Sequence, residues 1–187
     1  MVEPGTGRVL AMSQNRWWGT DGAGVTTYNY NVDIAHGGTQ GMQAGSTFKV
    51  FTLLAALERG FNPYQSIPGP QTRTFTGFRN CEGFRFPPYT VENSTGAGTY
   101  NMYTGTANSV NTYFVTLAER LPMCRMAEIA QQMGVYKGNG EPLEQVPSFT
   151  LGANEVTPLA MAGAYAAVAN HGRYCAPRGI DGIDQFL

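Results

Sequence analysis

The chain has 187 residues, of which 42% are hydrophobic and 13% charged, with a formal net charge of −1 at pH 7. This length allows one domain with a sizeable core, and the near-neutral charge gives no electrostatic basis for binding nucleic acid or an anionic membrane surface. No apolar run approaches the roughly 20 residues that span a bilayer, and we expect this chain to carry no secretory leader.

The predicted elements begin with a β-hairpin at residues 2–15. Pro4-Gly5-Thr6-Gly7 provides its turn, and apolar residues follow on the second strand. A loop rich in Gly, Asn, Thr and Tyr then extends to Gly45, a length that is typical of functional loops. Because two strands alone do not form a stable sheet, the hairpin predicts further strands that this chain does not supply.

Four helices follow, and they predict a mostly helical body. The first begins near Ser46, is apolar on nearly all sides and is therefore expected to be buried. The fourth has Thr157 as its N-cap and Pro158 at its first position. Residues 61–103 contain many turn-forming residues and no clear element. The four predicted helices cover residues 46–60, 109–121, 124–133 and 158–172.

One of only two lysines in the chain lies within the first helix, among phenylalanines and leucines. Lys49 follows Ser46 by three residues, so the two side chains share a helical face. Burial disfavours the ammonium form and lowers the pKa of a lysine. A neutral amine beside a serine hydroxyl can accept its proton and activate it as a nucleophile. The alternative is a purely structural interpretation, in which the Lys49 amine reaches solvent and Ser46 only caps the helix.

A second polar pair begins the second predicted helix. Ser109 and Asn111 are two residues apart, so a hydroxyl and an amide lie together at the start of this helix. In an acyl-transfer site the hydroxyl can relay a proton to a leaving group, and the amide can bind a peptide group of the substrate.

Four blocks of sequence, in order, resemble the transpeptidase domain of penicillin-binding proteins, most closely the bifunctional class A type. The blocks are VEPGTGRVLAM, GSTFKVFTLLAALERG, TGTANSVNTYFVTLAERLP and LGANEVTPLAMAGAYAAVANHGRYCAP. The resemblance covers residues 1–177 and leaves 178–187 as an unassigned tail. It implies an α+β, penicillin-binding-protein/β-lactamase-like fold, represented here by the helical subdomain and an N-terminal hairpin, with the remaining strands of the sheet missing.

The resemblance also implies roles for the two polar pairs. Ser46 would be the acylated nucleophile, Lys49 its base, Ser109 a proton relay and Asn111 a substrate-binding residue. Tyr113 is expected to line the substrate groove. The substrate would be the D-Ala-D-Ala end of a peptidoglycan stem peptide, and the acyl group would pass to an amine on a neighbouring stem. β-Lactams would acylate the same serine, and no metal or cofactor is implied.

The family's third motif, Lys-Thr/Ser-Gly on a central strand, is not found. Lys137-Gly138-Asn139 lies too early in the chain to be that motif. In the family this strand supplies a cation for the substrate carboxylate and one donor of the oxyanion hole, and loss of one such donor costs about 10²–10³ in rate. A glycosyltransferase half and a membrane anchor are also expected in a class A protein. We therefore interpret the chain as a fragment of an enzyme at the outer face of the bacterial membrane, with the rest of the domain and other cell-wall proteins as partners.

Three other functions stay open at this stage. A β-lactamase or D,D-carboxypeptidase would use the same dyad with an activated water, for which Glu92, Glu141 and Glu155 are the available carboxylates. A non-catalytic scaffold of the same fold would explain the absent third motif. A Gly/Asn-rich β adhesin is disfavoured by the four helix signals.

Several remaining residues have mainly structural interpretations. Cys81, Cys124 and Cys175 lack metal-site spacing and allow either one disulfide or three thiols. The pair Trp17-Trp18 is expected to pack against the helices. Asn93-Ser94-Thr95 matches the formal acceptor sequence for N-glycosylation.

Overall fold

The computed structural model describes residues 1–182 of the chain. They form two compact units, each assembled from separate stretches of sequence. The first unit contains residues 1–42, 130–143 and the chain from 155 onward, and the second contains residues 43–129 and 144–154. The expected tail at 178–187 lies partly outside the described residues.

The described part of the chain contains short strands and medium-length helices. The helices, in chain order, are α1 (Lys49–Glu58), α2 (Met102–Ala107), α3 (Asn111–Glu119), α4 (Met123–Gln132) and α5 (Pro158–Ala169). The strands are β1 (Trp17–Trp18), β2 (Val25–Thr26), β3 (Met42–Gln43), β4 (Ile67–Gly69), β5 (Thr72–Phe75), β6 (Tyr89–Glu92), β7 (Gly98–Tyr100) and β8 (Glu155–Val156). Short 3₁₀ turns occupy Ile34–His36, Gly45–Phe48 and Phe149–Leu151.

In the first unit, the predicted hairpin is present as an antiparallel bridge between Val2 and Val9 across the Pro4–Thr6 turn. The predicted fourth helix is α5, where Thr157 Oγ1 accepts a hydrogen bond from Ala160 N at 3.2 Å. Trp17 and Trp18 form β1, which pairs in parallel with β2. Both indoles are exposed, at 81% and 77%, so the expectation that they pack against the helices is wrong.

The second unit contains two antiparallel strand pairs that the sequence did not predict. Strand β4 pairs with β7, and β5 pairs with β6 in a register that joins Thr72 to Glu92 and Phe75 to Tyr89. Helix α3 packs against β4, β5, β6 and α1. Its first residue, Asn111, is hydrogen-bonded both to Lys49 of α1 and to Glu92 at the end of β6.

An aromatic and aliphatic core fills the second unit. The Phe48 ring lies 4.8 Å from the Phe51 ring and 4.9 Å from the Phe149 ring, both in edge-to-face geometry that aromatic pairs favour. Helix α3 is buried on all sides, and Phe114 and Leu117 are among its fully buried residues. Lys49 is buried in this unit, with its Nζ 5.4 Å from the centre of the Phe114 ring.

One disulfide joins two distant parts of the second unit. Cys81 and Cys124 are bonded, 43 residues apart in sequence, with their Cα atoms 5.7 Å apart. Cys175, in the first unit, is a free thiol. None of the helices in the described part of the chain has both the length and the apolar character that crossing a bilayer requires.

Candidate active site

Ser46 and Lys49 lie at the junction of a 3₁₀ turn and α1. The chain forms the 3₁₀ turn Gly45–Phe48, and the Lys49 amide donates to the Ser46 carbonyl oxygen. Residues three apart in a 3₁₀ turn are directly above one another, more closely aligned than in an α-helix. The predicted helix thus begins with a tighter turn, which places the exposed Ser46 on the same face as Lys49.

The Lys49 amine is buried and fully hydrogen-bonded. Lys49 is only 4% exposed to solvent. Nζ donates to the Ser109 carbonyl oxygen at 2.6 Å, to Ser109 Oγ at 3.0 Å and to Asn111 Oδ1 at 2.7 Å. It also lies 5.4 Å from the centre of the Phe114 ring. The structure therefore brings Lys49 together with Ser109 and Asn111, which follow it by 60 and 62 residues in the sequence.

Burial changes the proton affinity of this amine. Desolvation lowers the pKa of Lys49 from 10.5 to about 8. The three acceptors stabilise the ammonium form and limit the shift, since hydrogen bonds to a charged form favour that form. At pH 7 roughly one molecule in ten holds the neutral amine that can accept a proton.

Ser46 does not contribute to this cluster of hydrogen bonds. Its hydroxyl makes no hydrogen bond with any residue in the described part of the chain. The amine instead occupies its three hydrogens on Ser109 and Asn111. A proton transfer from Ser46 therefore requires the neutral amine, which has lost one of these hydrogens and gained a lone pair.

Ser109 and Asn111 are held at the start of α3. Ser109 has a φ of 50°, a left-handed conformation that is uncommon for residues other than glycine. Asn111 is the first residue of α3, and its Nδ2 donates to the Glu92 carbonyl oxygen at 3.0 Å. That bond fixes which side of the amide faces Lys49. The prediction that the serine and the amide begin a helix is confirmed for Asn111, while Ser109 precedes the helix.

Gly152 lies against the turn that carries Ser46. The Gly45 amide donates to the Gly152 carbonyl oxygen at 3.3 Å. A Cβ atom on Gly152 would lie 2.2 Å from the Gly45 oxygen, and Gly152 has a φ of +76°. Only glycine fits both constraints. The sequence analysis did not single out Gly152, because its contact with Gly45 depends on tertiary packing that the local sequence does not indicate.

The expected role of Tyr113 in substrate binding is corrected by its burial. Tyr113 is 1% exposed and packs edge-to-face against Phe114. A Cβ on Gly105 would lie 2.6 Å from the Tyr113 ring, so the two elements are in close contact. Tyr113 is therefore a core residue. Tyr103 is exposed and lies against Tyr64, with ring centres 5.3 Å apart.

The side chains of the remaining candidate residues make no hydrogen bond within this cluster. The Glu92 carboxylate is exposed and accepts from Gln71, so only the backbone of Glu92 takes part. Lys137 Nζ contacts Glu141 at 3.1 Å in the first unit. Within residues 1–182, no group of three or more His, Cys, Asp or Glu side chains is arranged to hold a metal ion.

Comparison with known proteins places this arrangement in a family context. Residues 1–185 match the profile of the penicillin binding protein transpeptidase domain. Penicillin-binding protein 1A of Rickettsia felis is 30% identical over 185 residues, covering 97% of this chain and 20% of that protein. Penicillin-binding protein 1A of Mycobacterium tuberculosis is 31% identical over 173 residues, covering 82% of this chain and 19% of that protein. The chain thus spans about a fifth of the length of these relatives.

Solved structures give the same relationship. PonA1 from Mycobacterium tuberculosis, a penicillin-binding protein, has a TM-score of 0.59 and 27% identity, covering 86% of this chain and 39% of that chain. The complex of PonA1 with penicillin V has a TM-score of 0.55 and 30% identity, covering 73% of this chain and 37% of that chain. The penicillin G acyl-enzyme of penicillin-binding protein A from the same organism shares the fold, with a TM-score of 0.65 and 24% identity over 84% of this chain and 38% of that chain.

The predicted α+β, penicillin-binding-protein/β-lactamase-like fold is therefore confirmed, and the chain belongs to the penicillin-binding protein transpeptidase domain family.

Proposed function

We propose that this chain carries the acylation centre of a serine D,D-transpeptidase. The observation that supports this best is the buried Lys49 amine, hydrogen-bonded to Ser109 and Asn111 and on the same face as Ser46. An amine withdrawn from water, with a pKa near 8, is suited to accept and return a proton near neutral pH. A lysine kept only for solubility would extend into solvent.

The proposed reaction begins when neutral Lys49 Nζ accepts the Ser46 hydroxyl proton. Ser46 Oγ attacks the carbonyl carbon of the penultimate D-Ala, and a C–O bond forms. The C–N bond to the terminal D-Ala then breaks, and the leaving amine takes a proton from Lys49 through the Ser109 hydroxyl, which lies 3.0 Å from Nζ. An amine of a neighbouring stem peptide next attacks the acyl carbon. A C–N bond forms, the C–O bond to Ser46 breaks, and the proton lost by this amine is passed through Lys49 to Ser46 Oγ.

β-Lactams are proposed to use the same first step. Ser46 Oγ attacks the carbonyl of the strained ring, whose C–N bond opens, but the nitrogen stays attached to the acyl group and cannot leave. The acyl-enzyme therefore persists. Acyl-enzyme complexes with β-lactams are described for the related penicillin-binding protein A, which supports this assignment through the shared fold alone.

We propose that the substrate is the D-Ala-D-Ala end of a peptidoglycan stem and that the site works outside the cytoplasmic membrane. The Cys81–Cys124 disulfide is in keeping with an oxidising compartment. Residues 1–177 would be part of a transpeptidase domain that acts together with the rest of that domain and with other cell-wall synthesis proteins.

The proposal is tested by covalent labelling with a fluorescent penicillin. We expect the wild-type chain to become labelled on Ser46, and Ser46→Ala to lose the label. Ser66→Ala is the matched control, since Ser66 is also an exposed serine in the second unit. Labelling of Ser46→Ala at the level of the Ser66→Ala control would overturn the assignment of the nucleophile.

Two further outcomes separate the alternatives. A folded wild-type chain that resists labelling at all penicillin concentrations would identify a non-catalytic scaffold and overturn the proposal. Continuous turnover of the chromogenic β-lactam nitrocefin would identify a β-lactamase, whereas a stoichiometric burst is the expected result.

A further inference from the structure

The start of α3 obtains its cap from outside the helix. Val110, the N-cap residue, is apolar and provides no side-chain hydrogen bond. Helices usually satisfy their first amides with a Ser, Thr, Asp or Asn at this position. Here the Thr112 amide instead donates to Asn93 Oδ1 at 2.9 Å. Asn93 directly follows β6, 19 residues earlier in the chain.

Asn93 is buried and completely hydrogen-bonded. It is 3% exposed. Its Nδ2 group has three acceptors, Thr112 Oγ1 at 2.9 Å and the carbonyl oxygens of Pro70 and Gly96 at 3.0 Å each. Its backbone pairs with Gln71, through N to the Gln71 oxygen and through its own oxygen to Gln71 Nε2. These hydrogen bonds hold the Asn93 side chain in one orientation within the second unit.

The same strand end also orients Asn111. Glu92, the residue before Asn93, accepts from Asn111 Nδ2 at 3.0 Å, and Asn111 Oδ1 in turn accepts from Lys49 Nζ at 2.7 Å. Consecutive residues of one strand end therefore bind consecutive residues of α3. Through them, the strand sets both the beginning of the helix and the direction of the amide that contacts the lysine.

We infer that Asn93 is a positioning residue for acylation, which aligns Ser109, Asn111 and Lys49 by capping α3 from the end of β6. The inference rests on the proposed function and assigns a role to a residue outside the two motifs. Ser109 lies three residues before Thr112, whose amide donates to Asn93, and the capped helix start would hold Ser109 in its uncommon left-handed conformation. The formal glycosylation sequence at Asn93 has no such use here, since Nδ2 is buried and already bonded.

The experiment separates binding of a penicillin from the chemical step. The dissociation constant of the non-covalent complex and the acylation rate constant at saturation are measured for Asn93→Ala. We expect the rate constant to fall about 10- to 100-fold, because small misplacement of catalytic groups has effects of this size. The dissociation constant is expected to change less than threefold.

Thr157→Ala is the matched control. Thr157 is a buried residue whose side chain caps α5 in the first unit, so its loss removes a side-chain cap from a different helix. We expect wild-type acylation in this variant, with a lower unfolding temperature. A wild-type acylation rate in folded Asn93→Ala would overturn the inference, as would an equal loss of acylation in Thr157→Ala.

A second variant restores the cap locally. In Asn93→Ala/Val110→Thr, the N-cap hydroxyl can accept from the first amides of α3, and we expect the acylation rate constant to recover at least threefold over Asn93→Ala. Should Asn93→Ala not fold, Asn93→Leu is measured in its place. Leucine keeps the approximate size of the side chain but has no oxygen to accept from the Thr112 amide, so a rate within twofold of wild type would overturn the inference. Absence of wild-type labelling on Ser46 would instead refute the proposed function itself.

Discussion

At the scale of single residues, the site depends on the balance between two effects on Lys49. Burial disfavours the ammonium ion, while three oxygen acceptors at 2.6–3.0 Å favour it. Burial is the larger effect, because the pKa falls from 10.5 to about 8. A shift of this size raises the neutral fraction at pH 7 roughly 300-fold over that of an exposed lysine.

The first prediction concerns the pH dependence of acylation. Only neutral Lys49 accepts a proton, so the acylation rate constant should rise about tenfold from pH 6 to pH 7 and level off above pH 8. The measurement is the time course of labelling by penicillin at each pH, corrected for hydrolysis of the penicillin without protein. A flat profile from pH 6 to pH 9 would show that another group accepts the proton.

Lys49→Arg provides the matched test at the same position. A guanidinium keeps its proton throughout this range, so the variant should remain unlabelled at every pH while keeping its circular dichroism spectrum. Labelling of Lys49→Arg with a wild-type pH profile would contradict the role of Lys49 as the base.

Among the structural elements, the 3₁₀ turn that carries Ser46 packs directly against Gly152. We predict that Gly152→Ala reduces acylation at least tenfold, since its Cβ would lie 2.2 Å from the Gly45 oxygen and would displace the turn. Strain at the positive φ also costs about 1–3 kcal/mol of stability. Penicillin labelling and thermal unfolding measure the two effects.

Gly60→Ala separates strain from displacement. Gly60 has almost the same φ, +75°, but no heavy atom within 4 Å of its Cβ position. This variant should lose stability through backbone strain yet label at the wild-type rate. Equal labelling rates in the two variants would show that contact with Gly45 does not position Ser46.

The helices were predictable from the sequence because their signals are local. Thr157 and Pro158 identify the start of α5, and the apolar residues around Lys49 identify α1. The pair β4 and β7 was not predictable, because Pro68 and Gly69 are unfavourable in strands and only tertiary packing makes them extended.

In the candidate site too, some features have a local sequence signal and others depend on tertiary contacts. Ser46 and Lys49 could be found from their spacing, since both lie on one turn. Nothing local indicates that Asn93 caps a helix that begins 18 residues later, or that Trp17 and Trp18 stay in solvent. Such relationships depend on contacts between segments, for which a single sequence contains no direct signal.

At the scale of the whole molecule, the Cys81–Cys124 disulfide closes a long loop within the second unit. Loop-closure entropy for 43 residues predicts that its removal costs about 4 kcal/mol. We expect the double variant Cys81→Ser/Cys124→Ser to unfold at a markedly lower temperature, as measured by circular dichroism.

Cys175→Ser is the control for this prediction. Cys175 is a free thiol, so its replacement should leave the unfolding temperature within a few degrees of wild type. An unchanged unfolding temperature in the double variant would mean that the rest of the second unit holds the two segments together without the disulfide.

The exposure of Trp17 and Trp18 determines how such measurements can be made. They are the only two tryptophans in the chain, and both indoles already face water in the folded state. Their ultraviolet emission should therefore resemble that of unfolded protein and change little on denaturation, while a small soluble quencher should reach both. Thermal unfolding followed by tryptophan fluorescence should therefore show no clear transition, because both indoles are exposed before and after unfolding. Tyrosine signals, such as that of buried Tyr113, would instead report the unfolding of the second unit.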